Sequence, residues 1–312
     1  MLLTLFNILI FPGLLFLCAC AFVVEYLDRK FYARLQNRVG PPWFQPVADF
    51  IKLIAKEEVI PAAANVRMFS VAPLVAFSAS ITAFFYIPLW KINPLLSFTG
   101  DIIVVLYLLT IPTLAFFIGG WYSTSLYARI GAVRTVTQMF AYEVPLFISV
   151  LAVALLADSW SLSEMALFYA GHPWLWLVNL MGFAISLVAL LGKLEKAPFD
   201  IPEAETEIVA GIFTEYSGKL LAILRMSISI ETIVGASLLA AVFLPFGLAL
   251  SPAAGFCVFI IKILFVVLLL SLLRAVFARL RIDQMIDFCW KCLVPLALAQ
   301  LLLNLVLKGV FI

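Results

Sequence analysis

The feature that most constrains this sequence is a succession of long apolar stretches, each about 20 residues long and almost free of charge. An α-helix rises about 1.5 Å per residue, so a stretch of this length spans the hydrocarbon core of a bilayer. Eight stretches are predicted to be membrane-spanning helices: residues 3–27, 69–90, 101–122, 136–157, 173–192, 219–244, 254–277 and 290–310.

Composition excludes a soluble globular protein. Only 12% of the residues are charged and the mean hydropathy is +1.15, whereas soluble domains are roughly 25% charged. Because helices satisfy their own backbone hydrogen bonds in lipid, the sequence predicts an all-α integral membrane protein. We expect one transmembrane domain, residues 1–312, built as a bundle of eight helices.

The distribution of Lys and Arg predicts the orientation of the bundle. Most of the 20 basic residues fall in loops that follow odd-numbered spans. The exceptions are Lys91, Lys308, Arg225 and Lys262. Because basic loops remain in the cytoplasm, we expect a multi-pass protein of the cell membrane, plasma or inner, with these loops cytoplasmic and both termini outside. The first apolar stretch lacks a basic n-region and is interpreted as a retained span rather than a cleaved signal peptide.

Two cytoplasmic elements stand out. In residues 46–57 the apolar side chains fall on one helical face and Asp49, Lys52 and Lys56 fall on the other. This pattern predicts an amphipathic helix on the membrane surface; the alternative is a linker with a chance pattern. The second element is an acidic loop, residues 193–218, where six of the 18 acidic residues lie between Glu195 and Glu215.

The acidic loop has two interpretations. It could be a solvated run of charge, but its two prolines and its alternating apolar residues exceed what a solvated loop needs. Glu203 and Glu207 are one helical turn apart, and neighbouring carboxylates raise each other's proton affinity. We therefore favour a functional role, either in moving protons or cations or in docking a partner.

Charged residues also occur within the predicted spans. Glu143 lies two residues before Pro145 in span four, Glu231 lies in span six and Lys262 in span seven. Such groups face the bundle interior, water or a partner charge. They form either a relay of titratable groups with the acidic loop or ion pairs that only hold helices together. The predicted relay comprises Glu143, Asp200, Glu203, Glu205, Glu207, Glu215, Glu231 and Lys262.

A metal site is not expected in this chain. Cys289 and Cys292 form a Cys-x-x-Cys pair, but iron–sulfur and zinc sites usually need four ligands. The only histidine, His172, is predicted on the opposite side of the membrane. Nothing in the sequence suggests binding of nucleic acid.

Six motifs carry a family resemblance: Arg34-Leu-Gln-Asn-Arg38-Val-Gly-Pro41, Ala48-Asp49-Phe-Ile-Lys52-Leu, Ala141-Tyr-Glu143-Val-Pro145, Ala197-Pro-Phe-Asp200-Ile-Pro-Glu203-Ala-Glu205, Glu215-Tyr-Ser-Gly218 and Arg281-Ile-Asp283-Gln284. From about Asp28 to Leu307 the chain resembles the eight-helix subunit of respiratory complex I that borders the quinone chamber. It also resembles the homologous membrane anchor of energy-converting, membrane-bound NiFe hydrogenases. The resemblance implies a non-redox subunit that anchors a peripheral electron-transfer arm and couples its redox chemistry to H⁺ or Na⁺ translocation.

Partners and cofactors are likewise implied by the resemblance. The cytoplasmic partners would be a hydrogenase-like large subunit, an iron–sulfur small subunit and a ferredoxin-like subunit, with antiporter-like subunits alongside in the lipid bilayer. The NiFe centre and the iron–sulfur clusters would belong to those partners, and this chain would bind no cofactor. Residues expected to dock the peripheral arm are Arg29, Arg34, Arg38, Asp49, Lys52, Arg279, Arg281 and Asp283.

Three departures separate the chain from quinone-linked relatives. Its first loop is shorter, because residues 40–46 lack the second Asn-Arg-Val-Gly-Pro-like stretch that those relatives contain. It also has Lys193-Leu-Glu195-Lys196 in place of Glu-Thr-Asn-Arg, and Ser229 in place of a glutamate. We therefore favour a hydrogenase-type complex over quinone reduction, with a sulfur-reducing complex as a further alternative. A stand-alone cation/proton antiporter is less favoured, because no internal repeat with broken helices is visible. The sequence does not distinguish H⁺ from Na⁺ as the translocated ion.

Overall fold

The computed structural model describes residues 2–92, 94–247 and 250–311, and this part of the chain contains helices and loops but no strand. The helices are α1 (Leu2–Leu9), α2 (Leu14–Leu35), α3 (Gln45–Ala55), α4 (Val66–Phe84), α5 (Asp101–Tyr122), α6 (Leu126–Ala157), α7 (Leu162–Gly171), α8 (Leu175–Val178), α9 (Leu180–Lys193), α10 (Glu205–Ile208), α11 (Gly218–Phe243), α12 (Pro252–Val276), α13 (Ile282–Phe288) and α14 (Val294–Phe311). Short 3₁₀ and π-helical turns cover Gly211–Phe213 and Cys289–Leu293.

Seven helical stretches in the described residues are long and apolar enough to cross a membrane: Leu5–Leu35, Val66–Phe84, Asp101–Tyr122, Leu126–Ala157, Gly218–Phe243, Pro252–Val276 and Ile282–Gly309. The all-α membrane architecture is confirmed, but the count of eight full-length spans is not. The fifth predicted span, residues 173–192, is divided at Asn179 into α8 and α9. With 14 residues, α9 extends only about 21 Å, which is less than the hydrocarbon core.

Polar groups at the break before α9 are hydrogen-bonded by a buried network of three side-chain amides, those of Asn179, Gln300 and Asn304. Asn304 Nδ2 donates to Ala152 O at 2.9 Å and to Asn179 Oδ1 at 2.9 Å. Gln300 Nε2 donates to Asn179 Oδ1 at 3.1 Å and to Val178 O at 3.2 Å. The three amides are buried, so α14 supplies partners that the broken helix cannot provide for itself.

Helix α11 lies at the centre of the bundle and is its most buried span. It packs against α2, α3, α4 and α12, while α6 packs against α5, α9 and α14. We call the end of the bundle where α2, α5, α9 and α12 end, and where α4, α6 and α11 begin, the basic end. The helix ends and loops at this end together hold most of the Lys and Arg residues.

The chain between α9 and α11, which we call the 194–217 segment, folds back onto the bundle. Tyr216 stacks on Phe69 with ring centroids 4.0 Å apart and donates from its hydroxyl to Phe69 O at 3.0 Å. Gly211 has a φ of +51°, and a Cβ there would lie 1.7 Å from Pro202 O. Only glycine therefore permits this turn.

The surface helix α3 lies across the basic end against α2 and α11. Phe50 packs on Phe22 of α2, with ring centroids 5.4 Å apart. Val47 and Ile51, which the sequence assigns to the apolar face, are exposed.

Candidate functional site

The 194–217 segment is held against the bundle by bonds at several points. The buried Gln138 of α6 donates from Nε2 to Gly192 O at 2.7 Å and to Phe199 O at 2.8 Å. Further along, Arg134 donates to Glu207 Oε2 at 2.6 Å, and the Arg279 guanidinium donates to both carboxylate oxygens of Asp200. These anchors draw the acidic loop into the protein, so it is not a freely solvated run.

Behind this segment lies a group of charges that we call the buried cluster: Lys193 and Glu231, which are buried, and Glu143, which is half-buried. Lys193 Nζ is 2.9 Å from Glu231 Oε1, and both side chains are at most 2% exposed. Lys193 also donates to Leu109 O, which lies in the middle of α5. The lysine is the last residue of the short helix α9, and its side chain is enclosed by the bundle.

Glu143 completes the buried cluster from α6. Its Oε1 atom is buried and has no hydrogen-bond partner among the described residues, and Lys193 acts on it electrostatically. The neighbouring Tyr142 lies 5.9 Å from Lys193 Nζ, measured to the ring centroid, and its hydroxyl is 3.2 Å from the Thr113 hydroxyl. Lys193 is thus paired with the carboxylate of Glu231 in α11 and acts at longer range on that of Glu143 in α6.

Glu195 connects the buried cluster to the acidic segment. The side chain is 8% exposed, and its Oε2 atom has no hydrogen-bond partner among the described residues. Burial raises the pKa of this carboxyl well above its usual value, and repulsion from Glu203 and Glu231 raises the pKa further. Glu195 therefore resists ionisation, and its protonation responds both to Glu203 of the acidic segment and to Glu231 of the buried cluster.

A cavity of about 430 Å³, which we call the charged cavity, opens beside Glu195 between α2, the 194–217 segment, α11 and α12. Its walls are mostly charged: Glu25, Asp28, Arg29, Glu195, Lys196, Asp200, Glu203, Arg225, Arg274 and Arg279. Asp28 is buried and lies 2.9 Å from Lys196 Nζ and 3.7 Å from Arg274 Nη1. Glu203 Oε1 lies 3.5 Å from Arg225 Nη1. The cavity is therefore a polar space lined by opposite charges.

The predicted relay residues fall into different surroundings. Asp200 and Glu203 line the charged cavity, and Glu143 and Glu231 belong to the buried cluster. Glu207 is exposed and paired with Arg134, and Glu215 is half-buried. The side chain of Glu205 lies outside the described residues.

Lys262 is placed apart from the other predicted relay residues. It is half-buried in α12, with no ion pair or hydrogen bond in the part of the chain that the structure describes. It lines neither the charged cavity nor the buried cluster.

The predicted docking residues divide into paired and unpaired groups. Arg29 bonds Glu25 and lies 3.0 Å from Asp49 Oδ2, so α2 and α3 are joined within the chain. Lys52 lies 3.8 Å from Asp49 Oδ1, and Arg279 is paired with Asp200. The remaining four are exposed and make no ion pair among the described residues: Arg34, Arg38, Arg281 and Asp283.

Sequence reasoning misses several residues of this site. Lys193 and Lys196 contribute to the predicted orientation and to the departure from quinone-linked relatives, but the predicted site contains neither of them. Asp28 is predicted to lie in a loop. The available signal for Lys193 is its position directly after an apolar run, next to an acidic motif. Among the described residues, no group of three or more His, Cys, Asp or Glu side chains could hold a metal ion.

The chain resembles known proteins both in sequence and in structure. The sequence profile described as NADH dehydrogenase matches residues 7–305. The chain is 35% identical to the H subunit of the NADH-quinone oxidoreductase of Carboxydothermus hydrogenoformans, over 93% of this chain and 85% of that protein. It is also 35% identical to the corresponding H subunit of Bacillus thuringiensis, over 98% of this chain and 96% of that protein.

Among solved structures, the chain matches one chain of the membrane-bound sulfane sulfur reductase (MBS), an archaeal respiratory membrane complex. The TM-score is 0.86 with 27% sequence identity, covering 97% of this chain and 98% of the other.

Proposed function

The chain belongs to the NADH dehydrogenase family, and on this premise we propose that it is the non-redox coupling subunit of a complex I-like respiratory membrane complex. In this role it anchors a peripheral electron-transfer arm of the membrane-bound NiFe hydrogenase type and transmits its redox energy to H⁺ or Na⁺ translocation. The NiFe centre and the iron–sulfur clusters lie in partner subunits, and antiporter-like subunits adjoin it in the membrane.

The observation that carries this proposal is the continuity between the charged cavity and the buried cluster. Glu195 is repelled by Glu203 on the cavity side and by Glu231 on the cluster side. Lys193 is paired with Glu231 and acts electrostatically on Glu143. A proton gained or lost at one carboxylate therefore changes the electrostatic energy of the next.

The coupling follows from this arrangement. Redox chemistry in the arm changes the charge that faces the 194–217 segment at the cytoplasmic side. The resulting shift in protonation passes from Asp200 and Glu203 through Glu195 to the buried cluster. From Glu143 the change reaches neighbouring membrane subunits, because a buried charge is poorly screened.

Docking of the arm depends on the exposed charges around the segment. Arg34, Arg38, Arg281 and Asp283 are free to pair across an interface, as judged from the described residues. Arg29 and Asp49 instead fix α3 against α2, so they support the docking surface from within. Charge reversal at Arg34 is expected to release the arm from the membrane. The release would be measured as hydrogenase activity in the membrane-free fraction.

Two other electron acceptors are supported by particular observations. The names of the relatives favour a quinone-linked complex, and the MBS structure favours one that reduces a sulfur compound. Against the quinone, the charged cavity is lined mainly by charged residues, and the apolar cavity beside Phe199 has only about 200 Å³. Sites for apolar cofactors are usually larger and mostly apolar.

The test is purification of the tagged chain with its partners, followed by ion uptake into inverted vesicles. A hydrogenase-like large subunit and H₂-linked uptake of H⁺ or Na⁺ are expected. Activity only with a quinone or a sulfur compound would replace the hydrogenase assignment.

The Glu143→Gln variant tests the coupling step. It keeps the shape of the side chain and removes its titration, so the complex should assemble and turn over while translocation per electron falls severalfold. Glu164→Gln, at an exposed carboxylate hydrogen-bonded to Ser159 near the opposite end, is the matched control. Unchanged translocation in the Glu143 variant would contradict the proposed relay.

A further inference from the structure

Lys262 is a charge near the middle of the membrane for which the described part of the chain supplies no counter-charge. It is the eleventh residue of the 25-residue helix α12. At 1.5 Å per residue, its Cα lies about 15 Å from the start of the helix and about 21 Å from the end. The side chain begins too deep to place its ammonium group fully in either interface.

No described acidic side chain forms an ion pair with Lys262, and two buried acids near α12 or α11 are paired with other bases. Glu231 is paired with Lys193, and Asp28 is paired with Lys196 and Arg274. Lys262 itself is only half-buried, and no ion pair or hydrogen bond to it is found within the described residues. A lysine held inside a membrane normally pairs with an acid or faces water.

The position of Lys262 on α12 indicates where its partner lies. Phe259, Ile263 and Val266 are buried against the bundle, whereas Ile261 and Phe265 are exposed. Lys262 is therefore at the border between the packed side of α12 and an outward apolar face. That face continues along the helix through Leu268, Leu272 and Val276, all exposed.

We infer that this face of α12 is an interface with a second membrane subunit, whose transmembrane helix presents an Asp or Glu carboxylate to Lys262. Charge complementarity identifies the occupant, because lipid chains offer no acceptor at this depth and lipid phosphates lie at the membrane surface. The inference rests on the proposed function, in which the chain assembles with other membrane subunits. It adds the location of one contact and the chemistry that recognises it.

The direct test is cross-linking of the intact complex in membranes with the apolar reagent dicyclohexylcarbodiimide. The reagent activates a carboxyl group, and a neighbouring lysine displaces the urea to form an amide with loss of a proton. Mass spectrometry should find Lys262 joined to an Asp or Glu within an apolar segment of another subunit. Lys308, which is paired with Asp158 of the same chain, provides an internal positive control.

A Lys262 peptide that stays unmodified while the Lys308–Asp158 link forms would overturn the inference. A link from Lys262 to its own chain or to a peripheral subunit would also overturn it.

A second measurement uses Lys262→Met and Lys262→Arg in the purified complex. Removing an unpaired charge from an apolar helix does not disturb packing within the chain, so Lys262→Met should still insert and fold. In the Lys262→Met complex, we expect the amount of the cross-linked subunit that co-purifies to fall at least five-fold, while the peripheral arm is retained. We expect Lys262→Arg to restore that amount. Lys308→Met should leave the composition unchanged.

The outcomes separate the two proposals. If the wild-type chain carries no other membrane subunit, the proposed function fails. If the complex is intact and Lys262→Met retains every subunit, only the α12 interface fails.

Discussion

Two buried polar networks in the bundle, one near each end, use different chemistry. Near the basic end, the buried cluster and Glu195 are ionisable. Near the other end, the network of Asn179, Gln300 and Asn304 is made of neutral amides. Both satisfy hydrogen bonds within the membrane, yet only the ionisable groups can change charge.

The contrast separates a network that can change charge from one that cannot. The amides repair a helix break at Asn179, where backbone groups need partners at all times. Lys193 of the buried cluster instead lies among carboxylates whose proton occupancy can vary. The expected consequence is that variants near the basic end depend on pH, whereas variants in the amide network do not.

The largest effect is expected for Lys193→Met, which leaves Glu231 buried without its counter-charge. Breaking one side of a buried pair costs about 3–5 kcal/mol of unfolding free energy. Denaturant unfolding of the chain in bicelles measures this loss, which should shrink at low pH, where Glu231 can be protonated. Lys193→Met/Glu231→Gln should recover most of the stability; a double variant no more stable than the single would contradict the pairing.

A smaller loss is expected for Asn304→Leu. The leucine cannot bond Ala152 O or Asn179 Oδ1, but Gln300 still reaches Asn179. We therefore expect a loss of about 1–2 kcal/mol. The same unfolding assay between pH 5 and pH 8 should give a constant loss, and a loss that varies with pH would break the contrast between the two networks.

Glu195→Gln sharpens the contrast through the sign of its pH dependence. The folded-state pKa of Glu195 is raised, so below the unfolded value, about 4.3, the carboxyl is protonated in both states and adds no penalty. As pH rises towards the raised pKa, the wild-type chain loses stability because the folded state resists ionisation.

The glutamine variant should therefore match the wild type at pH 4 and become progressively more stable than it at higher pH. Melting temperatures of both proteins across this range provide the measurement, with Glu207→Gln as the exposed control. Parallel curves for wild type and Glu195→Gln would show that Glu195 ionises freely.

The smallest effect is expected for Arg279→Gln. The bond from Arg279 to Asp200 is at the basic end, but the arginine side chain is 45% exposed. Exposed ion pairs contribute about 0–1 kcal/mol and are screened by salt. A loss well above 1 kcal/mol that persists in high salt would indicate that the 194–217 segment depends on this anchor more than its exposure implies.

Much of this protein follows from sequence alone, because the bilayer imposes its demands locally. Apolar runs of sufficient length and a low charge content predict a helical membrane protein without reference to any contact. The motifs around Asp200, Glu143 and Arg34 are also local, and they predict the family that the comparisons confirm. The acidic stretch between Glu195 and Glu215 indicates the region of the site.

Tertiary structure decided which charges are inside. Lys193 and Glu195 follow an apolar run and look like loop residues, yet α9 is short and Gln138 draws the following chain into the bundle. Lys262, a predicted relay residue, is half-buried on α12 and forms no ion pair among the described residues. A charge's surroundings depend on where distant helices end and on which side chains they bring to the same depth, and hydropathy along one segment contains neither fact.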